Sequence, residues 1–120
     1  MRTVLRRERD ERPAAHDADV LRFAGLDIDR ARREVRHAGR LVEPSALEFD
    51  LLTALAESPG RVFTRRQLLE RVWGWDYVGD ERVVDVHIRN LRRVLGDDAT
   101  DPGVIATVRG VGYKFVAGPA

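Results

Sequence analysis

The chain contains no cysteine, and aromatic residues make up only 7% of its 120 positions. Without cysteine it can form neither a disulfide nor a thiolate metal site, which is typical of intracellular proteins. It has no uninterrupted apolar run near the roughly 18 residues that a membrane-spanning helix needs. Its N-terminus carries charges where a signal peptide has an apolar segment. We therefore expect a cytoplasmic protein without membrane contact.

Positive and negative charges nearly balance, since the chain has 21 Lys and Arg residues and 20 Asp and Glu residues. Net charge alone therefore does not predict a nucleic-acid binder, and only the distribution of charge can. The length is that of one domain with a single core.

Recognisable catalytic patterns are also missing. The histidines His16, His37 and His87 do not have the spacing of metal ligands. No glycine-rich phosphate loop follows a predicted strand, and no Ser-His-Asp arrangement is evident. The sequence predicts no enzyme, no catalytic or metal-binding residue and no cofactor.

What the sequence does contain is a helix with two opposed faces at residues 81–95, ERVVDVHIRNLRRVL. At about 100° per residue, one stripe is apolar and typical of a helix packed on a core. It consists of Val84, Ile88, Leu91 and Leu95. The opposite stripe consists of Arg82, Val86, Arg89 and Arg93. Guanidinium groups suit phosphate oxygens and guanine edges, so this face predicts nucleic-acid contact. The alternative is a solvated face on which Glu81 and Asp85 form i,i+4 pairs with arginines.

The remaining elements surround this helix in a definite order. Residues 1–19 are dense in charge and predict a linker or arm. Short alternating segments from Val20 predict about four antiparallel strands, with a hairpin turn at Ala38-Gly39. Capping boxes at Ser45/Glu48 and at Thr64/Gln67 begin two helices. These helices end at residues 58–60 and 73–74, respectively, and the loop 74–80 leads to the third helix.

Two further strands are predicted at residues 105–108 and 113–116, around the glycine-containing turn 109–112. Sheet, three helices and a C-terminal hairpin make an α+β winged helix-turn-helix. In that arrangement the third helix can enter the major groove, with the hairpin beside it.

Four stretches, LEFDLL at 47–52, TRRQLLERVWG at 64–74, RVVDVHIRNLR at 82–92 and TVRGVGY at 107–113, carry a family likeness. Together they resemble the winged-helix effector domain of OmpR/PhoB-type response regulators. The resemblance implies a DNA-binding domain at residues 20–118 of a two-component transcriptional regulator. It places helix 81–95 in the major groove of double-stranded DNA and the wing, residues 105–116, at the minor groove.

The resemblance also implies roles for individual residues. Arg65 and Arg82 match positions that contact phosphates, and Val86 matches one that meets thymine methyl groups. Residues His87, Asn90 and Arg92 match positions that approach bases or backbone, and Thr107 and Arg109 match wing positions. Arg89 and Arg93 are added from the helical wheel. Asn90 stands where many members have a basic residue, so the base preference of relatives does not transfer.

Partners are implied by the same resemblance. The loop 74–80 is similar to a segment that contacts RNA polymerase in some relatives, with Trp75, Asp76 and Tyr77 as candidates. Alternatively, the two rings pack locally. Residues 2–7 resemble the end of a receiver domain, which implies a sensor kinase and a weak or DNA-dependent dimer on direct repeats. A naturally receiver-less protein is the alternative, and a winged-helix protein-interaction module is the alternative function.

Overall fold

The computed structural model describes residues 19–120. The linker predicted at residues 1–19 therefore lies, except for Asp19, outside the described residues. The strands are β1 (Val20–Phe23), β2 (Leu26–Asp29), β3 (Glu34–His37), β4 (Arg40–Val42), β5 (Phe63–Thr64), β6 (Ile105–Val108) and β7 (Gly112–Phe115). The helices are α1 (Ala46–Ala56), α2 (Arg65–Leu68, continued by a π-helical turn at Leu69–Trp73) and α3 (Arg82–Leu95).

The four N-terminal strands form the predicted antiparallel sheet, in the order β1-β2-β3-β4. Their alternation buries Leu26, Ile28 and Val35 on one face, as expected for a sheet with one solvated side. The hairpin between β3 and β4 turns at Ala38 and Gly39, which have φ of 53° and 80°. Two successive positive φ values are what a tight two-residue hairpin requires.

Both predicted capping boxes are confirmed. The Ser45 hydroxyl accepts from the Glu48 backbone at 3.2 Å, and the Glu48 carboxylate accepts from the Ser45 backbone at 3.1 Å. Thr64 and Gln67 make the same reciprocal pair at the start of α2. The π-helical turn that completes α2 was not predicted.

The second sheet has the order β5-β7-β6, and β5 is an addition to the predicted elements. The predicted strand 113–116 is shifted by one residue, because Gly112 already pairs with Val108 on one side and with Thr64 on the other. A Cβ atom at Gly112 would overlap the carbonyl oxygen of Phe63. Only glycine therefore lets β5 approach β7 this closely.

Helix α3 begins at Arg82, one residue later than predicted, because Glu81 is its N-cap residue. Its apolar stripe is fully inside the core, with exposed fractions of 0–1% for Val84, Ile88, Leu91 and Leu95. At the far end of α3, His37 Nδ1 of β3 donates to the Leu95 carbonyl oxygen at 2.7 Å. The helix is thus held by the core along its length and by the first sheet at its C-terminus.

Candidate nucleic-acid interface

The outward face of α3 is the basic stripe predicted from the sequence. All four of its members are exposed, and they are Arg82, Val86, Arg89 and Arg93. Val86, an apolar side chain among arginines, is 52% exposed. Helix α3 therefore presents guanidinium groups and one branched apolar group to solvent along its length.

These arginines differ in what restrains them. Arg89 makes no hydrogen bond or ion pair with any of residues 19–120. Arg82 Nε lies 3.5 Å from a carboxylate oxygen of Asp80, and both side chains are exposed. Arg93 Nη2 donates to the Asn90 side-chain oxygen at 2.5 Å. That bond leaves the Asn90 amide nitrogen as a donor for a base edge.

The acidic residues of this helix pair with α2 and not with arginines of their own helix. Asp85 Oδ1 accepts from Arg65 Nε at 2.8 Å, and Glu81 accepts from Arg66 Nε at 3.2 Å. The alternative of i,i+4 pairs is therefore wrong. Because Nε of Arg65 faces Asp85, its terminal nitrogens remain for a phosphate.

Asp85 also accepts a hydrogen bond from the Tyr113 hydroxyl of β7. The hydrogen bond and the negative charge of Asp85 raise the pKa of Arg65 above its usual value. Burial, and then the hydrogen bond to Asp85, raise the pKa of Tyr113 to about 12. Arg65 is thus permanently charged, and Tyr113 is a neutral donor at physiological pH.

The wing carries one unrestrained cation at its tip. Arg109 is exposed and begins a turn in which Val111 N–H donates to the Val108 carbonyl at 2.9 Å. It makes no hydrogen bond or ion pair within the described part of the chain. Thr107, also predicted as a DNA contact, is exposed, but its hydroxyl accepts from Arg92 at 2.8 Å.

His87 lies on a different side of α3 from the basic stripe. Its ring centroid is 5.5 Å from that of Trp73, and its Nδ1 is 3.7 Å from a carboxylate oxygen of Glu48. This nitrogen is buried without a hydrogen-bond partner among the described residues. The structure therefore does not bring His87 together with Arg82, Val86 and Arg89.

In the loop 74–80, the two candidate rings behave differently. Trp75 is 82% exposed, whereas Tyr77 is half-buried with its ring centroid 6.2 Å from that of Trp73. The ring of Tyr77 therefore packs locally, as the alternative predicted, whereas the ring of Trp75 is exposed to solvent. Asp76 is exposed. Val78 is 95% exposed, although it was not predicted as a contact residue. Its sequence signal was an apolar side chain between polar residues and glycines of the loop.

Asp97 is a further residue that the motifs did not identify. It follows the αL residue Gly96 at the end of α3. Its carboxylate accepts from the backbone N–H groups of Gly103, at 2.8 Å, and Ile105, at 2.9 Å. The Asp97 side chain therefore fastens the connection between α3 and the wing at Gly103 and Ile105.

Across residues 19–120, no three His, Asp or Glu side chains cluster closely enough to bind a metal ion. None of the helices in this range combines the length and apolar character that a bilayer crossing requires.

Comparison with known proteins places this arrangement in a family. A family model described as transcriptional regulatory protein, C terminal, matches residues 39–115. The DNA-binding response regulator MtrA of Mycobacterium leprae is 46% identical over 119 residues, which are 99% of this chain and 50% of MtrA. The chain thus spans about half the length of the curated relatives it matches.

Solved structures agree with the fold. The RstA DNA-binding domain of Klebsiella pneumoniae, in complex with the RstA box, has a TM-score of 0.75 and 41% identity over 81% of this chain and 96% of that one. The response regulator DrrB of Thermotoga maritima, an OmpR/PhoB homologue, has a TM-score of 0.75 and 36% identity over 82% of this chain and 45% of that one. The chain belongs to the family of C-terminal domains of transcriptional regulatory proteins and has the winged-helix fold of OmpR/PhoB-type regulators.

Proposed function

We propose that this chain binds double-stranded DNA sequence-specifically, as the effector domain of a two-component transcriptional regulator. The observation that carries the proposal is the exposed stripe of Arg82, Val86, Arg89 and Arg93 on α3, directly opposite the buried stripe. An α-helix fits the major groove, and guanidinium groups bind phosphates and guanine edges. Arg109 at the tip of the wing is free to enter the adjacent minor groove.

The residues of this surface have separate roles in binding. Arg65 and Arg82, at the start of α2 and α3, contact phosphates and fix the register of the domain on the duplex. Val86 meets a thymine methyl group, and Asn90 contacts an adenine edge. The length of the matched relatives supports a receiver domain elsewhere in the full protein. With it come a sensor kinase and a weak or DNA-dependent dimer on direct repeats.

Selection from a random pool of duplex DNA tests the proposal. The wild-type chain is expected to enrich a repeated sequence, and the variant Arg89→Ala/Arg93→Ala is expected to lose the enrichment. The variant Arg32→Ala/Arg36→Ala is a matched control, because it removes the same charge from exposed positions near or on the first sheet. Equal enrichment by all three proteins, or none by the wild type, would contradict the proposal.

Salt dependence gives a second readout. Each phosphate contact lowers the slope of log K against log salt concentration by about 0.9. A domain with several such contacts should lose affinity steeply as salt rises. A flat response in fluorescence anisotropy with the selected duplex would count against DNA binding by this face.

A second candidate function is contact with RNA polymerase through the loop 74–80. It is supported by Trp75 and Val78, which are 82% and 95% exposed, because tryptophan is enriched at protein interfaces and an exposed valine extends the apolar surface beside it. The variant Trp75→Ala/Val78→Ser is expected to bind the selected duplex normally and to bind purified RNA polymerase holoenzyme more weakly. Unchanged polymerase binding would remove this candidate.

A further inference from the structure

Arg92 extends from α3 to the wing and not along the basic stripe. Its Nη2 donates to the Ile105 carbonyl oxygen at 3.0 Å and to the Thr107 hydroxyl at 2.8 Å. Its guanidinium carbon lies 5.7 Å from the centre of the Tyr113 ring. The side chain therefore lies across strands β6 and β7 at the base of the wing.

These contacts leave Arg92 poorly equipped to read a base. Bidentate recognition of guanine uses two neighbouring N–H donors on one edge of the guanidinium. Both hydrogens of Nη2 are engaged by the wing, and Nε is buried without a hydrogen-bond partner among residues 19–120. Only Nη1 remains, so no complete edge is available. Arg89, one turn earlier, is exposed and has no such restraint.

Asp97 completes this attachment at the same residue, Ile105. It accepts the Ile105 N–H at 2.9 Å, while Arg92 donates to the Ile105 carbonyl. Strand β6 is the edge of its sheet, next to β7 only, so one side of its backbone has no strand partner. Two charged side chains from α3 and its C-terminal end satisfy that side at Ile105.

We propose that Arg92 and Asp97 are positioning residues that set the orientation of the wing relative to α3. Arg92 then contributes to DNA recognition through Arg109 at the minor groove and not through a base contact of its own. Minor-groove readout depends on where the arginine is placed relative to the groove. This inference rests on the proposed function, because it assigns a route by which DNA binding is achieved.

A double-mutant cycle tests the inference for Arg92. The probe is the duplex that the wild-type chain selects from the random pool, and the readout is Kd by anisotropy. Arg92→Ala and Arg109→Ala are each expected to weaken binding by about tenfold. If Arg92 acts through Arg109, the double variant is also weakened by about tenfold, because the second change removes nothing further.

The control cycle pairs Arg92→Ala with Val86→Ala, which alters the major-groove face. These effects are expected to multiply, since the two residues act at separate sites. The inference is overturned if Arg92→Ala and Arg109→Ala multiply to about a hundredfold loss. It is also overturned if Arg92→Ala changes the selected bases under α3.

In Asp97→Asn, the direction of the change in DNA affinity separates a positioning role from an effect of charge. Removing an acidic residue should strengthen binding to DNA on electrostatic grounds alone. Asparagine has only one acceptor oxygen, so its N–H₂ group must face the N–H of either Gly103 or Ile105, each of which now has a carboxylate oxygen of Asp97 as its acceptor. We therefore expect weaker DNA binding that does not add to the effect of Arg109→Ala. The control Asp98→Asn removes the same charge from an exposed neighbour that bonds only within its own turn.

Unfolding by urea, followed by circular dichroism, shows whether each variant is folded at the binding temperature. If Arg92→Ala does not fold, the Asp97→Asn and Arg109→Ala cycle decides the inference. Tighter binding by Asp97→Asn would overturn it. No enrichment by the wild-type chain would overturn the proposed function and this inference together. If the wild-type chain enriches a sequence but the effects of the paired substitutions multiply, the inference alone is overturned and the proposed function stands.

Discussion

Asp85 of α3 accepts a hydrogen bond from Arg65 of α2 at 2.8 Å, across 20 positions of sequence. The same oxygen accepts from the Tyr113 hydroxyl of β7. One carboxylate oxygen therefore joins both helices of the helix-turn-helix to the wing. Because both donors give to an ionised acceptor, the contacts are stronger than neutral hydrogen bonds.

Replacing Asp85 by alanine should lower the free energy of unfolding by about 1–2 kcal/mol, since it leaves the Tyr113 hydroxyl without its acceptor while Arg65 stays partly hydrated. Glu70→Ala is the matched control, because Glu70 is an exposed carboxylate in the π-helical turn. It should change stability by less than about 0.5 kcal/mol. Urea denaturation measures both, and equal losses would contradict the role given to Asp85.

Tyr113 should make stability fall at alkaline pH. Burial raises its pKa from the usual value near 10 to about 12, so the unfolded chain loses the phenol proton first as pH rises. The stabilisation from the neutral hydroxyl is fully present below pH 10 and is lost between pH 10 and 12.

Ultraviolet absorbance of tyrosinate measures this directly, because the chain has only two tyrosines. Tyr77→Phe leaves Tyr113 as the sole phenol, and its titration should be shifted upwards relative to that of the unfolded chain. In Tyr113→Phe, the urea midpoint should fall less steeply over this pH range than in the wild type. Parallel pH profiles for the two proteins would contradict the prediction.

Gly112→Ala should destabilise the domain by about 2–4 kcal/mol, because the new methyl group would overlap the Phe63 carbonyl and force β5 from β7. Gly118→Ala is the control, since a Cβ there meets nothing within 4 Å. Gly110→Ala should cost about 1 kcal/mol, because its φ of 77° strains any residue with a side chain. Thermal or urea unfolding orders the three variants, and a neutral Gly112→Ala would disprove the close approach.

The two tryptophans should differ in how much their substitution changes stability. Trp75 is 82% exposed, so Trp75→Ala should leave stability within about 0.5 kcal/mol of the wild type. Trp73 packs against Tyr77 and His87 but is partly exposed, so Trp73→Ala should cost about 2–3 kcal/mol, less than the loss of a fully buried tryptophan. Iodide quenching separates them independently, since the quenchable fluorescence should disappear with Trp75. Strong quenching that persists in Trp75→Phe would contradict this assignment.

The features that the sequence predicts well are local ones. The capping boxes at Ser45 and Thr64 require residues three positions apart, and the buried stripe of α3 follows from helical periodicity. Likewise, the hairpin turn at Ala38-Gly39 depends on adjacent residues. Each of these signals is contained within one element, so no knowledge of the tertiary fold is needed.

The features that the sequence does not predict depend on distant partners. Strand β5 has two residues and exists because Phe63 and Thr64 pair with β7, about 50 positions later. Charge patterning leaves i,i+4 pairs open as an alternative for Asp85, but its partners lie on α2 and β7. For Arg92, the family resemblance implies a contact with bases or backbone of DNA, and only the packing of the wing shows that its donors are engaged.

The hydrogen bond from His37 to the Leu95 carbonyl has a mechanical consequence. The last carbonyl groups of a helix receive no hydrogen bond from N–H groups of the same helix, so His37 supplies at Leu95 a donor that α3 itself lacks. Sliding of the first sheet along α3 would have to break this hydrogen bond. The hydrogen bond therefore couples the position of the first sheet to the C-terminal end of the helix that carries the basic stripe.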